Sequence, residues 1–213
     1  MTDQPAVGGN QEHSALNTKL TIVVVGIGLG VVTQLAQGLL STGWSQAANS
    51  IAPWLLVAFL VGAAQPGWRS AAVAGGATLL LALAGYYAMT LLRFAIGAGP
   101  VLLFWIIGAV VGGPVFGAAG WSWKHGRRPA LALGLLAAAF IAEAGFHLVV
   151  LAEPPVAAGF ALAGLLVPLT LGRSRAERID ANLWAIPMTL LGGLGFGAFI
   201  VLYGIITGVG VGV

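Results

Sequence analysis

Residues 101–151 read VLLFWIIGAVVGGPVFGAAGWSWKHGRRPALALGLLAAAFIAEAGFHLVVL, two apolar runs separated by a short basic connection. The first run, up to Trp121, holds no charged residue. The second, from Pro129, holds one, Glu143. About 20 apolar residues in helical form cross a bilayer core. Each run therefore reads as one crossing, and Lys124–Arg128 as the turn between them.

The same pattern recurs along the chain. Apolar runs predict helices near 20–41, 51–66, 70–92, 100–121, 129–151, 155–171 and 183–206. The expected fold class is all-α, a polytopic transmembrane helical bundle of seven spans. The second and sixth runs are short and carry Pro53, Pro66, Pro154, Pro155 and Pro168 at or near their ends, so one of them could be re-entrant. Charged residues make up 7% of the chain, against about 25% in an average soluble domain. Residues 1–19 are polar and irregular and read as a disordered cytoplasmic tail; 20–213 read as one transmembrane helical domain. The first apolar run has one preceding lysine and lacks a small-x-small cleavage site, so it reads as a retained span and not as a signal peptide. With no cysteine, thiolate chemistry and disulfides are excluded.

Charge sorting sets the orientation. With seven crossings and the N-terminus inside, the inner segments hold Lys19, Arg69, Lys124, Arg127, Arg128, Arg173, Arg175 and Arg178, and the outer segments hold only Arg93. This partition obeys the positive-inside rule, with the C-terminus outside. It also accounts for the net charge of +3 without nucleic-acid binding. Dropping one short span would put the two basic clusters on opposite sides. Trp68, Trp121, Trp123 and Trp184 then fall at the inner interface, and Trp44 and Trp54 near the outer one.

Glycine pairs at contact spacing, Gly26/Gly30, Gly108/Gly112, Gly113/Gly117 and Gly193/Gly197, predict close helix packing within the bundle. The same faces could meet a homodimer mate or another membrane protein. The first three and last three helices share a long–short–long plan, a weak sign of a parallel repeat.

The polar residues gather in the outer half. Glu143 lies inside the fifth helix, where a charge costs about 2.5–3.5 kcal/mol on insertion scales. His147 follows at i+4 on the same face. Gln34 and Gln37 share a face of the first helix, Tyr86 and Arg93 a stripe of the third, and Tyr203 lies near the end of the seventh. The inner halves are almost wholly aliphatic. Such a cluster suits a pocket open to one side better than a channel, which needs a continuous polar path. The expected function is binding or transport of a small polar or cationic solute. Glu143 would be its charge partner, His147 the modulator, Gln34 and Gln37 the hydrogen-bonding groups, and Tyr86 an aromatic wall beside Arg93. The rival reading is a non-transporting structural or accessory subunit of a membrane complex. No Ser/His/Asp set falls at a common depth, one Glu and one His are too few for a metal, and no phosphate loop is present, so neither catalysis nor a cofactor is expected.

Three segments carry a family likeness: Asn49-Ser50 with Pro53-Trp54 and Ala58-Phe59 through Gly62; Gly85-Tyr86-Tyr87; and Phe104-Trp105 with Gly108-Ala109 and Gly112-Gly113-Pro114-Val115-Phe116-Gly117. Together they resemble an uncharacterised family of small integral membrane proteins from high-GC bacteria, known only as a domain of unknown function. The resemblance implies a multi-pass protein of the bacterial inner (plasma) membrane and brings no activity with it. In architecture alone the chain is similar to the substrate-capturing membrane subunits of energy-coupling-factor vitamin transporters. That likeness implies a transport module docked on small residues of the first helix, here Gly26 and Gly30. The count differs, because those subunits usually have six helices.

Overall fold

The computed structural model describes residues 8–94 and 101–207, with side chains described for 16–41, 43–94, 101–195 and 197. Among the described residues eight helices follow one another: α1 Gly8–Leu39, α2 Thr42–Ala48, α3 Ile51–Ala63, α4 Trp68–Phe94, α5 Val101–Lys124, α6 Pro129–Val149, α7 Pro154–Leu171 and α8 Arg175–Thr207. No strand occurs among the described residues. Six stretches of them are long and apolar enough to cross a membrane: Leu16–Leu39, Gly43–Ala63, Trp68–Phe94, Val101–Lys124, Pro129–Val149 and Pro154–Leu171. The seventh expected span, 183–206, falls in α8, and most side chains of its C-terminal part, Tyr203 included, lie outside the described residues.

Three helix limits differ from the sequence reading. Helix α1 begins at Gly8, so the polar residues 8–19 assigned to an irregular tail are helical. Helix α8 begins at Arg175 because Ser174 accepts the Glu177 N–H on its hydroxyl at 3.1 Å, half of a capping box. The second span starts at Gly43 and is broken, with α2 ending at Ala48 and α3 starting at Ile51.

Small residues decide which helices touch. A Cβ on Gly26 would lie 2.7 Å from the Leu81 Cβ, and one on Gly30 would fall on the Ala82 carbonyl, so α1 is pressed onto α4. Gly113 and Gly117 meet Gly75, Gly76 and Ala71, which joins α5 to α4. Gly120 sits against the Phe59 carbonyl, joining α5 to α3, and Gly134 against Ala181, joining α6 to α8. The expected Gly26/Gly30 and Gly113/Gly117 pairs thus pack inside one chain, and Gly26 and Gly30 offer no free docking face. Gly108 and Gly112 meet only side-chain ends of Ile51 and Leu55, and Gly193 and Gly197 meet nothing within 4 Å. Helix α1 packs on α4 and α6 on α8, as first and third members of two triplets would, but α3 lies among α4, α5 and α6 while α7 lies mainly on α6.

Phe59, Leu133 and Leu136 are fully buried at the centre, while Val32, Leu92, Leu162, Leu190 and Leu194 face outward. An apolar exterior of this kind belongs against lipid. At one end of the bundle, Arg173 Nη2 donates to the carbonyls of Trp123 and Lys124 at 2.9 and 3.0 Å, so the two basic connections lie together. The polar side chains singled out on α1, α4 and α6, namely Gln34, Gln37, Tyr86, Glu143 and His147, lie toward the other end.

Candidate functional site

The break between α2 and α3 creates the site. Ser50 is the N-cap of α3 with extended backbone, φ −75° and ψ 150°. An N-cap serine ordinarily satisfies an N–H of its own helix. Here the hydroxyl makes no cap bond. It pairs instead with His147 Nε2 of α6 at 3.1 Å. The first N–H of α3, on Ile51, is left for the Glu143 carboxylate, which also interacts with the Ser50 hydroxyl and the His147 imidazole. A carboxylate at a helix N-terminus is favoured by the free N–H groups and by the helix dipole.

His147 is sealed, with 1% of its side chain exposed. Its ring stacks on Phe160 at 5.1 Å. Its other nitrogen, Nδ1, meets Glu153 Oε2 at 2.9 Å. The chain returns to make this contact: Ala152 takes a positive φ of 54°, and the Glu153 N–H donates to the His147 carbonyl at 2.9 Å. Glu153, the N-cap of α7, spends no side-chain bond on its own helix.

Beside these groups lies a cavity of about 400 Å³, at the end where α5 begins and α6 finishes. Gln37, Gln46, Asn49, Ser50, Glu143 and His147 supply its polar lining, and Phe104, Trp105 and Phe146 its aromatic walls. Gln37 is fixed by its neighbours: its Oε1 accepts from the Tyr86 hydroxyl at 2.6 Å and its carbonyl from the Ser45 hydroxyl at 2.7 Å. Trp54 contacts both Tyr86 and Trp105, each at 6.3 Å between ring centres, and its Nε1 donates to Thr33 at 3.1 Å.

Of the residues expected from sequence, Glu143, His147 and Gln37 line the cavity, and Tyr86 buttresses it through Gln37. Gln34 and Arg93 stand apart as a unit of their own. Arg93 Nη1 donates to Gln34 Oε1 at 2.8 Å and to its carbonyl at 3.1 Å. Among the described residues, Arg93 forms no salt bridge with Glu143. One expectation is corrected by Ser50 and Glu153: a Ser–His–carboxylate set does share one depth, and its carboxylate comes from the α6–α7 connection. Among the described residues, no three His, Asp or Glu side chains converge as metal ligands.

The sequence pattern of a family of unknown function (DUF6518) matches residues 9–205. No curated protein and no solved structure matches the chain.

Proposed function

The chain belongs to this family of unknown function, so its role must be drawn from the site, and we propose that it binds a small cationic solute in the cavity beside Glu143 and moves it across the membrane. One observation carries the reading: the only carboxylate set well inside an apolar span opens on a cavity of about 400 Å³ with aromatic walls. Aromatic faces and a carboxylate together suit a compact organic cation, through cation–π and charge attraction. Gln37, Gln46 and Asn49 add hydrogen-bonding groups at fixed positions. The broken second span repeats a device of transporters, in which irregular backbone lines a midmembrane site.

The topology that accompanies this reading has seven crossings, with the N-terminus inside and the cavity facing out. It is supported by the hydrogen bonds of Arg173 to the Trp123 and Lys124 carbonyls, which keep both basic connections at one end, away from the cavity.

The test uses the full chain in lipid nanodiscs and in proteoliposomes, with tetramethylammonium and larger quaternary amines as probes. We expect thermal stabilisation and uptake for at least one probe, both abolished by Glu143→Gln in a protein that still melts cooperatively. Absence of binding and uptake across the series would discard the reading. The accessory-subunit alternative has its own support in α8, where Gly193, Gly195 and Gly197 face open space among exposed Leu190, Leu191 and Leu194. Copurification of a defined membrane complex that dissociates on Gly193→Leu would favour it.

A further inference from the structure

Glu153, His147 and Ser50 form a chain of hydrogen-bond contacts, at 2.9 and 3.1 Å, that ends beside Glu143 in the lining of the cavity. We propose that this chain is a proton path, and that the cavity exchanges a proton on Glu143 for its cation. The proposal rests on the binding reading above and adds the proton as a second substrate.

The geometry accommodates a proton at either end. In one state Glu153 is a carboxylic acid and donates to His147 Nδ1. His147 Nε2–H donates to Ser50 Oγ, and the Ser50 hydroxyl donates to the Glu143 carboxylate. Three shifts then follow: Glu153 gives its proton to Nδ1, Nε2 gives its proton to Ser50, and Ser50 gives its own to Glu143. In the resulting state Glu143 is the acid and Glu153 the carboxylate. The imidazole is neutral in both states and changes tautomer. Every donor has an acceptor before and after, and the two carboxyl groups carry one negative charge throughout. The 2.9 Å and 3.1 Å contacts serve either direction of donation, and Ser50 and Glu143 both line the cavity at the end of the chain.

Exposure fits the direction of travel. The Glu153 side chain is 18% exposed and can trade protons with water, whereas His147, at 1%, can receive one only through its partners. A cation seated in the cavity blocks the direct way out for the proton it displaces from Glu143. The route through Ser50 and His147 leaves on the other side of the ring. Among the described residues, the remaining ionisable groups on this side are engaged elsewhere: Tyr86 with Gln37, Tyr87 edge-on to Tyr86 and Arg93 with Gln34. Helices α5, α7 and α8 bring no further ionisable side chain to the cavity lining.

Ser50, His147 and Glu153 resemble the arrangement of a serine nucleophile, its base and its orienting acid. Glu143 argues against that use. Its carboxylate interacts with the Ser50 hydroxyl and the Ile51 N–H, and so places negative charge where an oxyanion would develop.

Infrared difference spectroscopy on the full chain in nanodiscs tests the path. The protonated-carboxyl band lost in Glu143→Gln identifies Glu143, and its growth after a photoreleased proton is timed with tetramethylammonium present to fill the cavity. We expect Ser50→Ala and His147→Phe to slow that growth about a hundredfold, the low end of what a positioned proton donor contributes. Ser50→Thr, which keeps a hydroxyl, should restore the rate and controls for misfolding. Unchanged rates in Ser50→Ala and His147→Phe would overturn the path even where tetramethylammonium still binds. Slowed rates with no cation bound would keep the path and remove the binding reading. Covalent labelling of Ser50 by a fluorophosphonate would overturn it in favour of acyl transfer.

Discussion

Gly30 of α1 and Ala82 of α4 meet backbone to backbone, so closely that a methyl group on Gly30 would overlap the Ala82 carbonyl. Two turns of α1 beyond this point carry Gln34 and Gln37, and one turn of α4 beyond it carries Tyr86. The contact therefore sets the register that brings the Tyr86 hydroxyl onto Gln37 at 2.6 Å.

Gly30→Ala should accordingly be damaging. Overpacking of this kind costs about 1–3 kcal/mol, and it should shift the Tyr86–Gln37 pair as well. Gly28 lies two residues away, and a methyl group placed on it would meet nothing within 4 Å. Gly28→Ala should be neutral or stabilising by up to about 1 kcal/mol through helix propensity. Thermal unfolding in detergent compares the two; equal melting temperatures would mean that α1 does not rest on α4 as described.

The pair at His147 gives a second expectation. Glu153→Ala leaves a buried ring nitrogen without its partner, a loss of about 1–3 kcal/mol. Glu153→Gln keeps an acceptor oxygen and should cost less. A melting series in the order wild type, Glu153→Gln, Glu153→Ala checks this. Identical stability of all three would show that the connection before α7 does not hold the ring.

Much of the site is legible in the sequence. Glu143 and His147 stand out because a charge and an imidazole one turn apart are costly in an apolar helix. Gly26 and Gly30 stand out because their spacing puts both on one face. Glu153 is not legible. In a loop a glutamate is ordinarily solvated, and only the turn at Ala152 returns it to a residue six positions earlier. Ser50 is visible as a polar residue at the right depth, but its partner is not. A serine before a helix reads as a cap, and nothing local says that the hydroxyl will leave its own helix for another. The grouping of Gln34 with Gln37 fails for a geometric reason: residues three apart share a face, yet the longer Arg93 reaches only the first of them.

That separation predicts additivity. Arg93 and Glu143 share no hydrogen-bonding partner, since Arg93 bonds Gln34 while Glu143 faces Ser50, Ile51 and His147. Effects of Arg93→Gln and Glu143→Gln on stability should add to within about 0.5 kcal/mol. Rescue in the double mutant would instead reveal a direct ion pair between them.

The last expectation concerns which ends lie together. Arg173 reaches the final carbonyls of α5, which are unsatisfied within the helix, and so ties the connection after α7 to the one after α5. Tags inserted near Gly126 and near Ser174 should therefore report the same compartment, and a tag near Ala152 the opposite one. With Lys124, Arg127, Arg128, Arg173, Arg175 and Arg178 on these two connections, the shared side should be the cytoplasm. A reporter fused after Val213 then tests α8 by itself. If α8 crosses, the reporter is outside, the chain has seven spans and the cavity faces out. If it reports the cytoplasm, α8 does not cross, six spans remain and the orientation of the cavity is unaffected. Opposite compartments for Gly126 and Ser174 would remove the shared end itself, and with it the outward-facing site.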